Sequence, residues 1–78
     1  MTALPDLSVL RHSKGISLDH IAQITKIGIR YLEAIEHCQF GKLPGGIYNV
    51  SYIRQYARVV EVSEEELLER YLQTASLT

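Results

Sequence analysis

Between Leu18 and Glu36 the chain reads LDHIAQITKIGIRYLEAIE, two short apolar stripes separated by a corner. Leu18, Ile21, Ala22 and Thr25 follow the spacing i, i+3, i+4, i+7, which places them on one side of an α-helix. The chain then turns around Lys26–Gly28. Tyr31, Leu32 and Ile35 supply the inner face of a second helix that ends near His37. Two helices crossing at a short turn need a small residue where their backbones approach most closely, and Ala22 stands there. Ile21, Ile27, Leu32 and Ile35 provide the apolar contacts that fix the crossing. This is the spacing of a helix-turn-helix. It constrains the fold more than any other feature of the sequence, although Lys26 occupies a turn where glycine is common.

The rest of the chain carries helical punctuation on both sides of this pair. Pro5 suits a first helical turn and Gly15 a C-terminal cap, which predicts a helix over about residues 5–14. Ser17 caps the next helix, predicted over 18–25, with Ile16 and Ile21 at staple spacing across its start. The third is predicted over 28–37. FGKLPGG, residues 40–46, is a loop rich in breakers, and a long fourth helix is predicted from 47 to 60. Ser63 and Glu66 then have capping-box spacing and Val62 and Leu67 staple spacing. They open a fifth helix over 64–73 whose apolar face continues through Leu68, Tyr71 and Leu72. No segment alternates with period two for long enough to argue a strand. The expectation is one all-α domain of five helices spanning residues 1–78.

Seventy-eight residues leave no room for a large buried active site. A lone cysteine, Cys38, cannot form an internal disulfide and fits a reducing compartment. No basic segment followed by an apolar run opens the sequence, and nowhere do eighteen apolar residues run together. The sequence therefore predicts a cytoplasmic domain that makes no membrane contact itself. The net charge of −1 conceals an asymmetry: residues 1–60 sum to +3 and residues 61–78 to −4. Nucleic-acid binders collect cations into a dense patch, and +3 over sixty residues is thin support for that. His12, His20, His37 and Cys38 lack the paired spacing of a zinc site, and no glycine-rich phosphate loop occurs. Neither a cofactor, a metal, a small-molecule substrate nor an enzymatic activity is expected.

The segments KGISLDHIAQITKI, RYLEAIE, F-x-KLPGG-x-Y, YIRQYAR and VSEEELLERY together cover most of the chain. In them the sequence resembles the N-terminal cytoplasmic domain of the RodZ cell-shape family, a branch of the Cro/repressor-like fold. Leu43-Pro44-Gly45 combined with Tyr48, Tyr52 and Tyr56-Ala57-Arg58 carries the resemblance more specifically than the helix-turn-helix does. Ser51 stands where the family pattern has glycine. The resemblance implies docking on the actin-like filament protein MreB, with aromatic residues of the fourth helix at the contact. It also implies that the domain is the cytoplasmic part of a membrane-anchored protein.

Two binding surfaces follow. Tyr48, Tyr52 and Tyr56 are spaced i, i+4, i+8 along one side of the fourth helix, beside Ile53, Ala57 and Val60 on the side facing the core. They are either core edges or, with Arg54 and Arg58, the aromatic and cationic anchors of a protein interface. The alternative is a DNA-binding regulator. Its contacts would be Ser17, Lys26, Ile29, Arg30 and Glu33, with Gly28, Ala34 and His37 also facing the groove. Arg30 could pair with guanine and Glu33 accept from cytosine. Against it, Asp19 would face phosphates, and Glu33 and Glu36 would leave Arg30 as the only cation on the outer face of the third helix.

Overall fold

The computed structural model describes residues 6–76. Five α-helices follow one another: α1 (Leu7–Ser13), α2 (Leu18–Thr25), α3 (Ile29–Glu36), α4 (Ile47–Val60) and α5 (Glu64–Ser76). The described residues contain no strand, and the all-α reading holds.

The helix starts follow from local chemistry. Asp6 caps α1, its Oδ1 accepting from the backbone N–H groups of Ser8 and Val9 at 3.0 and 3.2 Å. The helix therefore begins at Leu7, and the expected start at Pro5 lies outside the described residues. Ser17 Oγ accepts from the His20 N–H at 3.0 Å and opens α2. Lys26 closes it in the left-handed conformation (φ 64°), its N–H donating to the Ala22 carbonyl at 2.8 Å. A lysine thus holds the backbone state that glycine adopts most readily. Thr25 Oγ1 accepts from the Ile27 N–H at 3.2 Å and tightens the corner. Gly28 is extended and gives no side-chain cap, and α3 is one residue shorter at each end than expected. In α5, Ser63 Oγ accepts from the Glu66 N–H at 3.2 Å, the N-cap half of the expected capping box. That helix continues to Ser76, past the expected end at residue 73.

FGKLPGG, expected to be loop throughout, contains a 3-10 turn at Phe40–Lys42. Gly45 and Gly46 then take positive φ, 100° and 59°. Asn49 fastens this passage to the last helix. Its Oδ1 accepts from the Gly45 N–H at 2.8 Å and its Nδ2 donates to the Tyr71 hydroxyl at 3.2 Å. The Tyr71 ring meets Phe40 edge-on, with centroids 5.4 Å apart. Asn49 meets Tyr71 at one end while Arg58 meets Glu64 at the other, so α4 and α5 pack antiparallel.

Ile21, Leu32, Ile35, Ile53, Val60 and Leu67 are wholly buried and form the centre of one apolar core. At its edge lies a polar network that ties three helices. The Glu36 carboxylate (α3) accepts from the Arg11 guanidinium (α1) through an ion pair, and its Oε2 also accepts from the Tyr56 hydroxyl (α4) at 3.0 Å. Arg11 Nη1 donates to the Ile16 carbonyl at 2.9 Å. No buried side-chain nitrogen or oxygen among the described residues is left without a partner.

The network corrects two expectations. Tyr56, expected as an exposed anchor, has no accessible surface, because it shares the buried register of Ile53, Ala57 and Val60. Glu36, expected on the outer face of α3, points inward, because Arg11 and Tyr56 supply the donors that make burial of its carboxylate tolerable. Ala34, expected to face a groove, is buried as well. Leu72, expected on the apolar face of α5, is 60% exposed.

Candidate partner-binding surface

With Tyr56 removed from the surface, the fourth helix still presents an aromatic edge. Tyr48 is 58% exposed and Tyr52 half-buried, their ring centroids 6.1 Å apart. Tyr52 leans in turn on Tyr31 of α3, at 5.8 Å and 40° between planes. Three rings therefore run from α3 to the start of α4 in the order Tyr31, Tyr52, Tyr48. The Tyr31 ring packs over Gly28 at ordinary van der Waals distance, 3.6 Å from where a Cβ would stand.

Beside the rings, Ile47, Val50, Ser51, Arg54, Gln55 and Arg58 line a shallow depression of about 540 Å³. Ile47 is the most exposed large apolar side chain of the described residues, at 83%. Arg58 Nε donates to Glu64 at 3.0 Å across the surface, and Arg54 is exposed. An apolar end, adjacent aromatic rings and two guanidinium groups on one helix are the composition of an interface centre. Tyr31 and Ile47 were not legible as members of it. The place of Tyr31 beside Leu32 predicts inner-face packing, and no spacing in the sequence marks Ile47 beyond its being the first residue of the predicted fourth helix.

The residues of the alternative surface are distributed differently. Ser17 and Ile29 line one depression with Leu18, His12 and Asp19. Ser17 Oγ is already engaged in capping, and Asp19 places a carboxylate beside it. Lys26 lies at the opposite end of α2, while Arg30 and Glu33 are exposed on α3. Burial of Glu36 takes one negative charge off this face, leaving Arg30 against Glu33.

Ionisation at the Arg11–Glu36–Tyr56 network is shifted by its surroundings. Burial raises the Tyr56 hydroxyl far above the ordinary tyrosine range, and the adjacent Glu36 charge pushes in the same direction. Hydrogen bonding to Glu36 raises Arg11. Arg11 also borders the depression lined by Ser17 and Ile29, but its guanidinium is taken up by Glu36 and the Ile16 carbonyl, and the geometry is that of a structural tie. No group of three His, Cys, Asp or Glu side chains among the described residues could hold a metal ion.

The model of the helix-turn-helix domain family matches residues 6–67 of this chain. The chain belongs to that family. Within it, this helix-turn-helix domain is RodZ-like. It is 35% identical over 65 residues to the cytoskeleton protein RodZ of Streptococcus pneumoniae (strain ATCC BAA-255 / R6), covering 83% of this chain and 24% of that protein. It is 38% identical over 56 residues to the uncharacterized membrane protein YmfM of Bacillus subtilis (strain 168), covering 72% of this chain and 19% of that protein. The RodZ-like domain thus spans about a quarter or less of the curated relatives it matches. No solved structure matches it. No helix among its described residues is long and apolar enough to cross a membrane.

Proposed function

We propose that this helix-turn-helix domain is a non-catalytic docking module for an actin-like filament protein of the MreB type. In this reading it is the cytoplasmic part of a membrane-anchored protein. The observation that carries the proposal is the exposed start of α4, where Ile47 and Tyr48 stand beside Tyr52 and the guanidinium groups of Arg54 and Arg58. Similarity to a protein named for the cytoskeleton supports the partner class, and similarity to one named a membrane protein supports the anchoring. Tyr48 is the anchor that would enter the partner. Tyr52 holds it from behind through the ring contact with Tyr31, and the two arginines meet acidic groups at the rim.

The test is co-sedimentation with a polymerised MreB-type protein, comparing the wild-type chain with Tyr48→Ala. Truncating a central aromatic anchor costs about 2 kcal/mol or more, roughly a thirtyfold rise in Kd. The fold should be untouched, because Tyr48 is mostly in water. An unchanged Kd for a folded Tyr48→Ala chain would remove the α4 face from the reading.

A further inference from the structure

We infer that the α4–α5 face is a self-association surface, on which a second copy of this chain packs with each α4 lying over the other copy's α5. This face shares Ile47, Arg54 and Arg58 with the docking surface, so the two contacts are mutually exclusive, and self-association is tested with no partner present.

The two helices carry opposite charge. α4 has Arg54 and Arg58 and no acid, whereas α5 has Glu64, Glu65, Glu66 and Glu69 against Arg70. Arg54 lies where two surface depressions meet. It shares one with Ile47, Val50 and Arg58, and the other with Glu65 and Leu68 across the helix pair. Among the described residues neither Arg54 nor Glu65 makes a hydrogen bond or ion pair, although they line the same depression. At the far end of the face Ile47 is 83% exposed and Leu72, one turn beyond Leu68, is 60% exposed.

Because α4 and α5 are antiparallel, a twofold axis running parallel to them has a defined result. It exchanges the helices sideways and keeps each residue at its own level along the axis. Residues level with one another inside one copy therefore meet across the axis. Arg54 is level with Glu65 and Leu68, and so meets the second copy's Glu65. Asn49 is level with Tyr71, which sets Ile47 and Val50 against the second copy's Leu72. One operation thus pairs both unsatisfied charges and covers both exposed apolar side chains. Isologous contacts need this kind of self-complementarity. The face is only two helices wide, which places the contact in the weak class below about 1,200 Å² in total.

Sedimentation equilibrium of the chain at low salt, up to about 1 mM, should show a reversible dimer that weakens as salt screens the exposed charges. Two charge-reversed variants decide the geometry, with circular dichroism confirming that both are folded. Arg54→Glu with Arg58→Glu, and separately Glu65→Arg with Glu69→Arg, should each weaken dimerisation by about tenfold or more, since like charges then face each other. An equimolar mixture of the two should associate again, because every reversed α4 now meets a reversed α5. A wild-type chain that stays monomeric overturns the inference. So does a dimer that ignores both variants, or a mixture that fails to associate.

Discussion

Removing Arg11 isolates the mechanism by which this small fold tolerates a buried carboxylate. In Arg11→Leu the Glu36 side chain, 2% exposed, keeps only the Tyr56 hydroxyl as a donor. Breaking a buried ion pair from one side costs about 3–5 kcal/mol, because the remaining charge is left in a poor solvent. The Ile16 carbonyl loses its Arg11 donor as well, adding about 1 kcal/mol. Against this, a core of the size that 78 residues can build supplies about 3–5 kcal/mol. Arg11→Leu should therefore be mostly unfolded at 25 °C in urea titrations followed by circular dichroism. Tyr56→Phe should remain folded and lose about 1.5–3 kcal/mol, one hydrogen bond to a charged acceptor. The triple change Arg11→Leu, Glu36→Leu, Tyr56→Phe should refold, since replacing a complete buried ionic group by apolar side chains is neutral or stabilising. The reasoning is refuted if Arg11→Leu stays within about 1 kcal/mol of wild type, or if the triple variant is no more stable than the single one.

Three further outcomes are expected. The Tyr56 hydroxyl has a folded-state pKa raised above its ordinary value of 10.0, so the unfolded chain gives up this proton first as pH rises. Its contribution to stability is whole below pH 10 and declines above it. The gap between wild type and Tyr56→Phe in urea midpoints should shrink in that alkaline window, and a constant gap would contradict the assigned burial. Lys26→Gly should stabilise the chain by up to about 1 kcal/mol by relieving a left-handed lysine, raising Tm by about 4–8 °C; a lower Tm would mean that the lysine side chain makes an interaction worth more than the strain. Duplex DNA binding should be undetectable at physiological salt. At low salt it should be weak and sequence-blind, with a log–log slope of roughly −2 to −3, because two or three cations at most reach phosphates. Sub-micromolar preference for one sequence over a scrambled one would restore Arg30 and the outer face of α3 as the working surface.

Most of the backbone was legible because its signals are local. The stripe Leu18, Ile21, Ala22, Thr25 and the Ser63 cap each lie within two helical turns, and both appear where their spacing puts them. The polar network escaped because it is not local. Glu36 is 25 residues from Arg11 and 20 from Tyr56, so no window of periodicity contains the donors that let it go inside. Glu36 was read as solvated because an isolated glutamate nearly always is. For Tyr56 a usable signal existed. Ile53, Tyr56, Ala57 and Val60 have the spacing i, i+3, i+4, i+7, which is a buried stripe, while Tyr48 and Tyr52 lie off it. Of the α4 surface, the Tyr48–Tyr52 neighbourhood and the two arginines could be read from spacing. The contribution of Tyr31 could not, since it depends on how α3 crosses α4.

The tie among α1, α3 and α4 also has a consequence for descent. A lineage that exchanges Arg11 alone strands Glu36, and one that exchanges Glu36 alone leaves a buried guanidinium without its counter-charge, held only by the Ile16 carbonyl, and a tyrosine hydroxyl without its acceptor. Each single step leads down, even where the end point with all three positions apolar would be a sound protein. Arg11, Glu36 and Tyr56 are therefore expected to change together or not at all.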